Sequence, residues 1–124
     1  MIDFDNKKYL KLSPVSIESG TNKIIEFLIE GEEVIGAYKS MRDMVIFTSK
    51  RIVAVNVQGI TGKKIDYSSL AYSKIQAFSV ETAGTFDLDS ELEVWFSGLG
   101  KMKFEFKGNV NIRGICKVIS EYTL

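Results

Sequence analysis

The chain has no histidine, one cysteine (Cys116) and one proline (Pro14). Without histidine, the usual general base near neutral pH is missing, and nucleophilic catalysis has little to work with. A lone cysteine rules out an internal disulfide framework. Cys116 falls among Ile112, Ile115, Ile119 and Tyr122, whose spacing puts them on one helix face. That suits a buried structural thiol, because a reactive thiolate needs an exposed, electropositive setting. Neither charge is in excess, with 16 basic and 16 acidic residues. A nucleic-acid binder usually needs a basic surplus to neutralise phosphates, so no nucleic-acid partner is expected. Net charge near zero favours self-association over colloidal repulsion. No run approaches the roughly 18 to 20 apolar residues that span a bilayer. The opening MIDFDNKKYLK lacks the apolar centre and cleavage pattern of a signal peptide. A cytoplasmic location is the resulting expectation.

Apolar residues are plentiful at 45%, aromatics make up 11%, and 124 residues fit one domain with a real core. The richest stretch is RDMVIFTSKRIVAVNVQGITGKK, Arg42 to Lys64. Met44–Thr48 and Arg51–Val57 are β-branched and aromatic, and only Ser49 and Lys50 separate them, which predicts a β-hairpin. Ile52, Val53, Ala54, Val55 and Val57 are apolar almost without a break, so this strand should be covered on both faces. Gly59 and Gly62 then predict a compact turn, since glycine tolerates positive φ.

Residues 1–20 mix charge with few periodic apolar positions and read as an arm preceding a domain over 21–124. A short helix is expected over 22–30, capped by Thr21 or Asn22 and stopped at Gly31. Strands follow at Val34–Tyr38, Met44–Thr48, Arg51–Val57, Lys64–Ser69, Ser73–Thr82, Glu91–Phe96 and Lys101–Phe106. The last two alternate cleanly, with Leu92, Val94, Phe96, Met102, Phe104 and Phe106 inward, and Ser97–Gly100 as their turn. A helical period takes over at 110–122, capped by Asn109 or Asn111, with Gly114 expected to let the helix approach the sheet closely. The fold class is thus mainly β with a C-terminal α-helix: a seven-stranded bent antiparallel sheet or partly open barrel capped by that helix.

Several segments carry a resemblance. They are Gly31-Glu32-Glu33-Val34, Ala37-Tyr38-Lys39, Arg42-Asp43, Phe47-Thr48 and Arg51, then Gln58–Lys64, Tyr72-Ser73 and Glu81–Asp89. Over roughly Ile24 to Leu124 the chain resembles the bacterial pleckstrin-homology (PH) domain family. The resemblance implies a PH-like fold and self-assembly into ring-shaped, pentameric oligomers. It implies no catalytic residues and supplies no physiological ligand.

The candidate sites are modest. Gly59–Lys64 is not a nucleotide-binding loop, because Val57 stands where the first glycine is required and Lys64 replaces the magnesium-binding hydroxyl. Asp87, Asp89 and Glu91 have the spacing that opens a calcium loop, but Leu92 and Gly98 occupy the places of its glycine and bidentate glutamate. No metal or cofactor is expected. Many PH domains bind inositol phosphates at the loop between their first two strands. Here that loop offers Lys39 and Arg42, opposed by Asp43, with Lys63 and Lys64 as further candidates for an anionic ligand or membrane surface. Solvated charges, or an Arg42–Asp43 pairing, are the plainer alternative. Trp95 is expected on the outer face of its strand, under local structure or under a neighbouring subunit.

Charge is segregated along the chain. From Lys39 to Lys64 six charged residues are basic and one, Asp43, is acidic, whereas from Glu81 to Glu93 all five are acidic. The segments can pair within one subunit, or one subunit's basic edge can meet the next one's acidic edge, head to tail. The expected interface contains Phe86, Asp87, Asp89, Glu91, Glu93, Trp95, Arg42 and Arg51. The expected function is a non-catalytic homo-oligomeric interaction module with an unknown protein partner. The alternative is a peripheral binder of anionic lipid headgroups or another phosphorylated ligand.

Overall fold

The computed structural model describes residues 9–108 and 110–124. The hairpin Asp43–Thr48 (β3) and Arg51–Gln58 (β4) forms as its composition dictates, with Phe47 opposite Ile52 and Val45 opposite Ala54. Val34–Ser40 (β2) pairs with β3, and Lys64–Ala71 (β5) pairs with β4, after a turn in which Gly59 and Gly62 take the positive φ that the sequence predicts. A 3-10 turn at Tyr72–Lys74 leads to Ile75–Glu81 (β6). Ser90–Phe96 (β7) and Gly100–Phe106 (β8) form the second clear hairpin, with Leu92 opposite Phe104. All seven expected strands are present, and the fold is mainly β with a C-terminal helix.

Two elements stand where an arm was expected. Tyr9–Pro14 (β1) enters the middle of the sheet, parallel to β8 and antiparallel to β2, giving the order β5-β4-β3-β2-β1-β8-β7-β6. Its Leu12 is fully buried. Ile17–Ile24 (α1) follows, capped by Ser16, whose side chain accepts from Ser19 N at 3.0 Å. The helix expected over 22–30 therefore starts and ends earlier, and the chain beyond Ile24 runs in turns closed by Phe27 N to Ile24 O and Glu32 N to Ile29 O. Periodicity misleads here because the buried face of α1 is only Gly20 and Ile24. A Cβ added to Gly20 would lie 2.5 Å from Ala37 Cβ, so this glycine lets the helix seat on β2. The boundary at residue 20 does not mark the edge of the fold, since β1 and α1 belong to it. Residues 1–8 of the expected arm lie outside the described residues.

Two layers of apolar side chains result. Leu12, Val45, Phe47, Leu92, Val94, Phe104 and Phe106 meet inside the bent sheet. Ile112–Thr123 (α2) presses Ile112, Ile115 and Ile119 onto that layer and packs on the 3-10 turn, β6 and β7, the corner where β5 and β6 leave the sheet unpaired. On the opposite face of β2–β4, Ala37, Met44, Ile46, Val53 and Val55 pack with Ile24 of α1. The strand read as covered on both faces is covered on both, the second time by a layer that includes Ile24 of α1, Leu28 of the turns beyond it and Ile65 and Tyr67 of β5. Asn111 caps α2, accepting from Gly114 N at 3.0 Å, while Asn109 lies outside the described residues. The space at Gly114 is taken by this Asn111 side chain, 2.7 Å from where a Cβ would sit, and not by the sheet.

Candidate functional site

The β2–β3 and β4–β5 turns lie at one end of the sheet, and Arg42 ties them together. Its Nη1 donates to Gly59 O at 2.8 Å and its Nη2 to Val57 O at 3.3 Å. Asp43 is spent on the same segment, accepting from Val57 N at 3.0 Å and Asn56 Nδ2 at 3.4 Å. Lys39, Lys63 and Lys64 are exposed around this end. Between the cations stand two apolar tips, Met41 at 92% exposure and a fully exposed Ile60. Sequence reasoning brought the four basic residues together but missed Met41 and Ile60. Single apolar residues inside polar turns have no periodicity to reveal them.

The acidic segment divides in two. In the β6–β7 loop, Gly84 N donates to Asp87 O at 2.7 Å, Asp89 N to Asp87 Oδ1 at 3.0 Å, and Gly108 N to Asp89 Oδ1 at 3.2 Å. Asp87 and Asp89 thus shape the loop through backbone N–H groups, and the loop holds Phe86 at 100% exposure with Leu88 beside it. On β7, Glu91 pairs with Lys103 and Glu93 with Lys101, each at 3.2 Å. The Glu91 hydrogen bond and charge raise the Lys103 pKa. Trp95 is half-buried on this outer face, with Lys101 Nζ 6.0 Å from its ring centroid. Local structure therefore supplies part of its cover.

Arg51 has its partners within the same chain. Its Nε and Nη2 donate to Glu32 Oε2 and Oε1 at 2.8 and 2.9 Å, while Nη2 also reaches Phe27 O at 2.6 Å and Nη1 reaches Ser69 Oγ at 2.9 Å. Glu32 is buried, and Thr48 Oγ1 donates to it at 2.6 Å. Burial works against the Glu32 charge, but the Arg51 and Thr48 hydrogen bonds outweigh it and hold the carboxyl below its ordinary pKa. Tyr72 Oη donates to Thr48 O at 2.7 Å, and its burial pushes its own pKa up strongly. This network staples the 25–33 turns to the β3–β4 hairpin, and nothing in the sequence pattern announced it. Cys116 is half-buried on α2 where a buried thiol was expected.

A bent sheet wrapped round its larger core, with a C-terminal helix over its open corner, is a PH-like fold. The sequence matches the family described as Bacterial PH domain over residues 3–123, and the chain belongs to that family. The match reaches well into the segment read as an arm. The Bacillus subtilis protein YjqA is 46% identical over 110 residues, covering 87% of this chain and 88% of its own. A solved PH-domain protein from Shewanella loihica superposes with a TM-score of 0.79 at 38% identity, over 93% of this chain and 99% of the other. A second PH domain, from Shewanella amazonensis, gives 0.66 at 40% identity over 96% and 93%.

Proposed function

We propose that this chain is a cytoplasmic, non-catalytic interaction module that assembles with copies of itself into a closed ring, pentameric as the family resemblance implies, and offers repeated surfaces to another protein. The observation that carries this reading is Phe86, a fully exposed phenyl ring held out by a hydrogen-bonded loop. Covering such a ring removes apolar surface from water, a gain of about 25 cal/mol per Å2. The outer edges of β5 and β6, unpaired among the described residues, add support, because such strand edges are templates for pairing with another chain. Contact between two different surfaces of successive copies runs head to tail and closes when the rotation allows. Light scattering on the full chain tests the reading: an oligomer is expected, and Phe86→Asp should shift it toward smaller species. A monomer across micromolar concentrations would refute the ring.

The basic end favours a second reading, as a contact for anionic lipid or another phosphorylated ligand. Met41 and Ile60 project there among Lys39, Arg42, Lys63 and Lys64, an apolar tip ringed by cations. Co-sedimentation with phosphatidylserine vesicles should show salt-sensitive binding that Lys39→Glu plus Lys64→Glu removes. Absence of binding at low salt would end this reading.

A further inference from the structure

β2 and α2 do not close fully on each other. Between them lies a cleft of about 300 Å3, at the lower end of the range for small-molecule sites. Tyr38 and Phe47 face it from the sheet, Ile115 and Val118 from α2, and Ile35 from the rim. Gly36 keeps it open beside the phenol, since a Cβ there would come within 3.2 Å of Tyr38 Cε2 and 3.3 Å of its Oη.

Tyr38 is the informative side chain. It is only 9% exposed, and its ring is fixed by edge contacts with Phe106 at 4.9 Å and Phe47 at 5.7 Å. Tyr72, the other buried tyrosine, donates to Thr48 O. Tyr38 has no such partner among the described residues, and burial alone raises its pKa. Its hydroxyl is not sealed in the core, where Ser90 Oγ is the unpartnered buried oxygen among the described residues, but opens onto the cleft and is free to donate to what enters it. Asn111 also lines the cleft, and Gly114 N occupies its Oδ1, leaving its amide nitrogen as a donor. Both polar groups can therefore donate, into a space whose remaining walls are mostly apolar.

We infer that this cleft binds a small, mostly apolar molecule through a carbonyl or carboxylate oxygen that accepts from Tyr38 Oη. The cleft shares no lining residue with the Phe86 loop or with the basic end, so it stands or falls independently of the ring and of lipid binding. Acetophenone and ethylbenzene test it, because they share a shape and differ in the carbonyl. Methyl NMR of the full chain should show saturable shifts at Ile35, Ile115 and Val118 with both probes, acetophenone binding about three- to tenfold more tightly. Tyr38→Phe keeps the ring and should abolish that preference while ethylbenzene still binds. Val118→Trp should block both probes. Tyr38→Phe decides the matter even if Val118→Trp fails to fold. Absence of saturable shifts in the wild type, equal affinity for the two probes, or a preference that survives Tyr38→Phe would each overturn the assignment.

Discussion

In one half of the sheet β3 and β4 are buried on two faces, and in the other half β7 and β8 are buried on one. On β3 and β4, Val45, Phe47, Ile52 and Ala54 face the interior, while Met44, Ile46, Val53 and Val55 face the layer under α1. On β7 and β8 the outward positions carry Glu91, Glu93, Lys101 and Lys103 in ion pairs. The strands read accordingly: a near-continuous apolar run in one half, strict alternation in the other. An unbroken apolar run therefore announces a cover without saying what the cover is. Here it includes an eight-residue helix, too short to persist alone in water and formed because the strands beneath it need burying.

Substitutions can break or sharpen this contrast. Phe104→Ala, in the interior both halves share, should cost about 3 to 5 kcal/mol in urea unfolding. Ile46→Ala, under α1, should cost about 2 to 5 kcal/mol, as for any buried isoleucine. A loss below about 1 kcal/mol would mean that the second layer contributes little. Arg51→Ala leaves a buried Glu32 carboxylate without its main partner and should cost about 3 kcal/mol near neutral pH. Because the folded Glu32 pKa lies below its ordinary 4.5, its contribution is present above that value and is lost as pH falls through the folded pKa. Glu32→Gln should accordingly flatten the acid limb of the stability profile, and an unchanged limb would assign acid unfolding to other carboxylates. The smallest effect belongs to the outer face of β7. Glu93→Gln should cost under about 1 kcal/mol and vanish in high salt, since its pair with Lys101 is largely open to water.

What could be read from the sequence follows the same divide. Alternation in Glu91–Phe96 and Lys101–Phe106 gave strand, register and inward faces, because period two has one meaning when one face is wet. The helical spacing of Ile112, Ile115 and Ile119 gave α2 for the same reason. β1 escaped because Lys11 sits at positive φ, its pairing with β8 is irregular, and among its described side chains Leu12 is the one core residue. α1 escaped because a glycine is half of its buried face. At the candidate sites, residue type located the cations and acids but not their use. Nothing in the order of residues shows that Arg51 turns inward to Glu32, that Asp87 and Asp89 are loop braces, or that Tyr38 Oη has no hydrogen-bond partner among the described residues.

The parallel pairing of β1 with β8 bears on the order in which the chain can fold. Leu12 opposes Phe106, so the first described strand reaches its neighbour only after nearly all the rest has been synthesised. Closing so long a loop is entropically slow, and such non-local pairing is associated with low folding rates. Until β8 arrives, one side of β1 or β2 stands open, a sticky edge at the stage when a growing chain is most exposed to its neighbours on a polysome. β1 is also the strand that joins β2 to β8 in the sheet order. Pulled from its place, it would leave two half-sheets without a continuous ladder between them, so the fold should yield to force at β1 first.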